Sequence, residues 1–280
     1  MTASFGRRLR AALDAYGPLC VGIDPHAQLL DDWGLGQDAA GVRDFGLRVV
    51  DASAGRVAAV KPQVSFFERF GAAGFAALES VLAAARAAGL LVVADAKRGD
   101  IGTTMAGYAQ AWLEPGAPLE ADALTVSPYL GGGSLAEAIR HALPHGKGVF
   151  VLAATSNPEG ASVQQAHTTR PGETVALRVT RDVVALDDST DPLGSVGLVV
   201  GATIDRAAFA LDDEVLRAVP LLAPGFGAQG ATAEDLRRGF GTLAGNVLAS
   251  ESRSILSAGP DRIAATIDER AARYQEVMGG

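Results

Sequence analysis

Cysteine is nearly absent from this chain: Cys20 is the only one in 280 residues. A single thiol excludes an intrachain disulfide and a cysteine-based metal cluster. Within Leu19-Cys20-Val21 it reads as a small buried apolar side chain. Histidine is scarce as well, and His26, His141, His145 and His167 show no metal-ligand spacing, so each is assigned to the surface or a loop. No run approaches the roughly 18 apolar residues of a membrane span. The stretch from Met1 to Ala11 carries Arg7, Arg8 and Arg10 with no signal-type apolar core behind them. The expectation is a soluble, cytoplasmic protein without a membrane partner. Positive charge is in deficit, with a net charge of -8, which makes nucleic acid a poor partner for the surface as a whole. A small phosphorylated ligand stays open, because a few local cations suffice to hold one.

Apolar residues are plentiful. At 48% hydrophobic and 20% charged, the chain can bury a sizeable core. Its length fits one α/β barrel of roughly 250 residues. Short β-rich runs recur at Leu19 to Ile23, Val57 to Val60, Leu90 to Ala94, Ala123 to Val126, Val149 to Ala153, Val196 to Val200, Pro220 to Ala223, and Asn246 to Ala249. A polar or glycine-containing turn and then an Ala/Leu/Arg-rich segment follow each run, the alternation of βα units around a parallel sheet. Eight runs predict a (β/α)8 TIM barrel, read as one domain over residues 1–280.

Among the helices, Phe75 to Ala88 is the clearest, with Phe75, Leu78, Val81 and Leu82 on one face and Gly89 as terminator. Another is expected at Thr103 to Trp112, and Trp33 and Trp112 read as packing residues. A helix over about residues 4–16 precedes the first strand and is expected to cover the bottom or side of the barrel. The connection over about residues 157–195 is too long for a simple βα loop. Thr174 to Leu186 within it has helical periodicity and is assigned as the fifth barrel helix. The remainder, with Gln164, Gln165, His167 and Thr168, is read as a mobile loop over the active face.

In a parallel barrel, strand ends and the loops just after them build the active site. Those positions hold Asp24, Lys61, Asp95 with Lys97, Ser127, and Thr155 with Ser156. In the run Asp95-Ala96-Lys97-Arg98-Gly99-Asp100, a continued strand would point Asp95 and Lys97 to the same side, and Gly99 would permit a sharp turn before Asp100. A lysine among carboxylates keeps its proton and can donate it. A structural salt-bridge cluster is the plainer reading, but gathering Lys61 and Asp24 at neighbouring strand ends is costly without a use. A second constellation is Ala223-Pro224-Gly225-Phe226-Gly227-Ala228-Gln229-Gly230 after the seventh run, followed by Arg253 after the eighth. Glycines there would let backbone N–H groups approach phosphate oxygens, and Arg253 would add a bidentate charge. A tight loop explains the glycines alone, and a flexible βα loop explains Gly131-Gly132-Gly133 equally well as a ligand contact.

At these residues the sequence resembles the orotidine 5′-phosphate decarboxylases, especially their longer bacterial branch. The likeness runs through Val21-Gly22-Ile23-Asp24-Pro25, Val60-Lys61-Pro62, Ala94 to Thr104, Thr125 to Gly131, Ala154 to Pro158, Pro224 to Gly230, and Arg253. The Asp-x-Lys-x-x-Asp core, with Ile101 and Thr104 behind it, is the specific signature. The resemblance implies decarboxylation of orotidine 5′-phosphate to UMP with no cofactor and no metal. It implies that Asp24 and Lys61 hold the ribose hydroxyls, that Asp95 lies against the substrate carboxylate, and that Lys97 protonates pyrimidine C6. Asp100 and Thr104 would reach the neighbouring subunit's site in a homodimer. Ser156 would bond the pyrimidine, and Gln229, Gly230 and Arg253 would grip the phosphate. Ser127 stands where the branch would have Asn.

Two rivals share features of this pattern. A magnesium-dependent phosphosugar decarboxylase or aldolase would need a further acidic ligand after the second strand, where Lys61-Pro62-Gln63 stands instead. A non-catalytic nucleotide-binding barrel would be expected to lose Lys97 and Asp100 while keeping the glycine loop.

Overall fold

The structure, a computed structural model, describes residues 3–187 and 192–279. Eight parallel strands close on themselves in sequence order: β1 (Leu19–Ile23), β2 (Ala59–Pro62), β3 (Leu91–Arg98), β4 (Ala123–Val126), β5 (Gly148–Ala154), β6 (Val196–Val200), β7 (Leu221–Pro224) and β8 (Val247–Glu251). The last strand pairs with the first through Leu19–Ala249 and Val21–Glu251, so the sheet has no free edge. This is the (β/α)8 TIM barrel expected from the eight apolar runs.

Helices α1 (Phe5–Tyr16), α2 (Ala27–Asp32), α3 (Ala39–Ser53), α4 (Ser65–Glu68), α5 (Gly71–Ala87), α6 (Gly102–Leu113) and α7 (Ala136–Ala142) come from the first half of the chain. The second half supplies α8 (Pro158–Gln164), α9 (Val175–Val184), α10 (Ala233–Phe240), α11 (Arg253–Leu256) and α12 (Ile263–Gly279). On α5, Leu78, Val81 and Leu82 are fully buried against the barrel, and Gly89 ends the segment with φ of 76°. No helix among the described residues is long and apolar enough to cross a membrane.

The barrel interior is layered by the two-residue period of its strands. Towards the strand starts, Cys20, Ala59, Leu91, Val93, Ala123, Phe150, Leu222 and Leu248 form one apolar cluster with Phe5, Leu9 and Leu13 of α1. Those three side chains are spaced four residues apart, so α1 presents one stripe that plugs the bottom mouth. Phe5 packs edge-on against Phe150 with ring centroids 5.9 Å apart, and a Cβ on Gly148 would clash with the Phe5 ring. One step further along the same strands the inward positions turn polar: Lys61 follows Ala59, Asp95 follows Val93, and Thr125 follows Ala123. The apolar plug thus sets the floor of a polar cup.

Two expectations need correction. β2 and β3 continue past the apolar runs that announced them, so Lys61, Asp95 and Lys97 lie within strands, since parallel pairing does not stop where hydrophobicity does. The segment expected as a mobile loop carries helix α8, and His167 bridges Thr174 in antiparallel fashion. Pro158 at the first helical position starts that helix, because its fixed φ suits the first turn and its missing N–H is not needed there. Thr174 caps α9 by accepting from the Leu177 amide. Residues 188–191 of the connection lie outside the described residues.

Candidate active site

The polar cup is organised around one carboxylate. Asp95 lies 2.9 Å from Lys61 Nζ through Oδ2 and 2.6 Å from Lys97 Nζ through Oδ1. Thr125 Oγ1 donates to the same Oδ1 at 2.9 Å and accepts from the Lys97 amide at 2.9 Å. Lys61 and Asp95 are buried, whereas the Lys97 side chain is 43% exposed and faces the opening. Burial alone would raise the Asp95 pKa, but Lys61 and Lys97 outweigh it and hold the carboxyl well below the usual carboxylate range. Burial would lower the Lys61 pKa, and Asp95 and Asp24 reverse that, so its ammonium is kept above the usual lysine range. Directly beneath, burial pushes the Cys20 thiol up to about 12, which removes it as a nucleophile.

The backbone at Lys97 is left-handed, with φ of 49°, one of two non-glycine residues so placed among the described residues. The β3–β4 register shifts between Ala94 and Arg98 at this point. The strand conformation therefore does not run on unbroken as the two-residue spacing supposed, yet the Asp95 and Lys97 side chains meet. A non-glycine residue in this region costs of order 1–2 kcal/mol, here offset by the amide bond to Thr125 and the ion pair.

Lys61, Asp95, Lys97 and Ser156 line one cavity of about 480 Å³, together with Thr155, Asn157, Gln164, Leu152, Val199 and Leu222. One side, from β2 and β3, is charged, and Leu152, Val199 and Leu222 on β5, β6 and β7 make the other apolar. Asp24 sits at the end of β1 beside this group, its buried Oδ1 without a hydrogen-bond partner among the described residues. Ser252 Oγ, after β8, is also buried without one among the described residues, and both side chains pack closely over Gly22, where a Cβ would stand 2.7 Å from Ser252 Cβ. Buried polar atoms of this kind are normally satisfied, and these two stand unpaired beside the fully braced Asp95 carboxylate.

Across the rim, Gly225, Gly227 and Gly230 all take positive φ, of 122°, 70° and 105°. The turn closes through Gly227 N–H to Ala231 O at 2.8 Å and Gly230 N–H to Gly227 O at 2.9 Å. Gln229, Gly230 and Arg253 are exposed at its edge, and Arg253 has no ion-pair partner among the described residues. Asp100 and Thr104 stand apart: neither lines the cavity, Thr104 is exposed, and Asp100 accepts from the Ile101 amide at 2.8 Å. Ser127 donates its amide to Arg98 O at 2.8 Å, which ties the β3 and β4 loops together.

Sequence reasoning missed Thr125 as the brace of the charge cluster, Ser252 as an unsatisfied hydroxyl, and Gln164 as a cavity residue. Gln164 Oε1 accepts from the Thr155 amide at 2.9 Å and draws α8 over the cavity. The Asn157-Pro158 pair was the available signal for that helix. Sequence spacing also hid a contact far from the cavity: Glu114, His141 and His145 bring donor atoms within 4.8 Å of one another.

A closed parallel barrel with a lysine–carboxylate cluster on one side of its C-terminal rim and a glycine loop with a free arginine on the other defines a TIM-barrel protein built for a small anionic ligand. The sequence model of the orotidine 5′-phosphate decarboxylase / HUMPS family matches residues 17–266, and the chain belongs to that family. It is 55% identical over 263 residues to the orotidine 5′-phosphate decarboxylase of Salinispora tropica, covering 93% of this chain and 92% of that one. The Streptomyces coelicolor enzyme of the same name is 55% identical over 259 residues, covering 92% and 91%. A Streptomyces avermitilis crystal structure, provisionally assigned to the same activity, superposes with a TM-score of 0.94 at 49% identity, covering 100% and 97%. Leishmania donovani OMP decarboxylase gives 0.74 at 32%, covering 98% and 99%.

Proposed function

We propose that this chain decarboxylates orotidine 5′-phosphate to UMP and carbon dioxide, in de novo pyrimidine biosynthesis. The observation that carries the reading is the sharing of Asp95 between Lys61 and Lys97 at the mouth of the cavity. Family membership and the named relatives support it.

In this reading the C6–carboxylate bond breaks, carbon dioxide leaves, and the electron pair left on C6 takes a proton from Lys97 Nζ. Lys97 then regains a proton from solvent. A fixed ammonium beside the developing carbanion stabilises the transition state more than the ground state, so it accelerates the step and not merely binding. Asp95 keeps the ammonium aimed and lies against the departing carboxylate. Asp24 and Lys61 take the ribose hydroxyls, a role supported by the place of Asp24 after β1, close enough to Lys61 to help hold its charge. Ser156 bonds the pyrimidine. Gln229, Gly230 and Arg253 take the phosphate, with the Gly230 N–H giving up its bond to Gly227 O, and the binding energy gained there orients the ring. No cofactor enters this chemistry, and the Lys61 ammonium at the end of β2 would repel a metal ion there.

The active unit in this proposal is a homodimer in which Asp100 and Thr104 complete the partner's site. Supporting it, Ile101, Tyr129 and Leu130 are 61%, 85% and 54% exposed on the loops after β3 and β4, a concentration of large apolar side chains around Asp100.

The test is turnover of orotidine 5′-phosphate followed by ultraviolet absorbance, with and without a chelator. Equal rates in both are expected. No turnover would overturn the assignment, and loss in chelator would overturn the metal-free mechanism.

A further inference from the structure

We propose that Glu114, His141 and His145 form a second, non-catalytic site for a divalent transition metal, zinc above all, at the end of the barrel away from the active site.

The local sequence brings the ligands together in two ways. His141 lies in the last turn of α7 and His145 closes the 3₁₀ turn from Leu143 to His145, so the two rings stand about one helical turn apart with centroids at 4.9 Å. Glu114 directly follows α6, whose first residue lies near the catalytic rim. Twelve residues of helix at about 1.5 Å each carry it roughly 18 Å towards the opposite face. One nitrogen from each ring and one carboxylate oxygen then fall within 4.8 Å of one another.

Their hydrogen bonding is that of ligands more than of an ion pair. Glu114 Oε2 is 2.9 Å from His141 Nε2, yet this buried nitrogen makes no hydrogen bond of acceptable direction. The carboxylate lies beside the ring nitrogen and not along an N–H, as two donors do when they converge on a shared ion. His145 Nδ1 is 2.9 Å from the His141 carbonyl and must donate to it, which leaves the Nε2 lone pair free to ligate. An outer hydrogen bond of this kind fixes the tautomer and orientation of metal-binding histidines.

The ligand set is two imidazoles and one carboxylate, a combination that suits zinc and leaves a position for water. Neighbouring cations do not oppose the charge, because Arg8, Arg86 and Lys147 are each paired with Asp122 or Glu120. A bound ion would tie the end of α6 to α7 and stabilise the fold without touching catalysis.

The experiment is calorimetric titration of the tag-free full-length protein with zinc chloride, with cobalt(II) absorption as a report on coordination. Saturable binding of one zinc per chain, visible cobalt bands and a raised melting temperature are expected. His141→Ala and His145→Ala should each weaken binding at least tenfold and remove the cobalt bands while leaving the decarboxylation rate unchanged. Glu114→Gln, at a partly exposed position, should weaken binding if either histidine variant fails to fold. Absence of saturable zinc binding to the wild type, or undiminished binding in folded variants, would overturn the proposal.

Discussion

Lys97 and Asp95 meet at 2.6 Å across a backbone that is not a regular strand, because Lys97 itself is left-handed at φ of 49°. The ion pair and the strain belong to the same short segment. Strain that the surrounding bonds over-determine is common where a side chain must be aimed.

If Lys97 is the proton donor, Lys97→Ala should lower kcat by about 10²–10⁴-fold or more, the usual weight of a general acid. Lys97→Gly should be equally inactive but more stable than the alanine variant by about 1 kcal/mol, since glycine adopts this φ freely. Single-turnover kinetics and urea denaturation would check both halves. Retained turnover would remove Lys97 from the chemistry.

Asp95 links activity to stability. Asp95→Asn leaves Lys61 buried without its nearest counter-charge and should destabilise the fold by about 3–5 kcal/mol, the cost of breaking a buried pair. The folded pKa of Asp95 lies below the unfolded value of about 3.9, so its contribution is present above that pH and fades as pH falls further. Lys61 has the opposite sign. Its folded pKa lies above the unfolded value of about 10.4, so its contribution is complete below that pH and is lost as pH rises beyond it. Urea denaturation across the pH range should show the gap between wild type and Asp95→Asn constant near neutrality and narrowing in acid. A gap that widens in acid would contradict the ion-pair account.

Arg253, without an ion-pair partner among the described residues, should matter only for phosphorylated substrate. Arg253→Ala is expected to lose about 1.5–3 kcal/mol of binding to charge, or roughly 10- to 150-fold in kcat/KM. The unphosphorylated nucleoside should be turned over equally by both proteins. An equal loss on both substrates would point to a structural role.

The shared-site proposal predicts complementation. Asp100→Ala and Lys97→Ala proteins, each inactive, should regain activity when mixed, because a mixed dimer has one site with both lesions and one with neither. Random pairing sets the ceiling at about a quarter of wild-type activity. If subunit exchange is demonstrated and no activity returns, Asp100 acts within its own chain.

The sequence by itself determined the barrel, because eight apolar runs with turn signals impose a period that few other folds satisfy. It also determined which charged groups stand at the strand ends, since inward residues recur every second position and Lys61 and Asp95 each lie one such step above an apolar layer. Tertiary structure decided what those groups do to one another. That Asp95 serves two lysines, that Thr125 braces them, and that Gln164 draws α8 over the cavity depend on contacts between strands and loops far apart in the chain. The same holds for Glu114 beside His141 and His145, which only the packing of α6 on α7 brings within ligand distance. Local periodicity specifies the direction of a side chain. Its partner is set by how the elements pack.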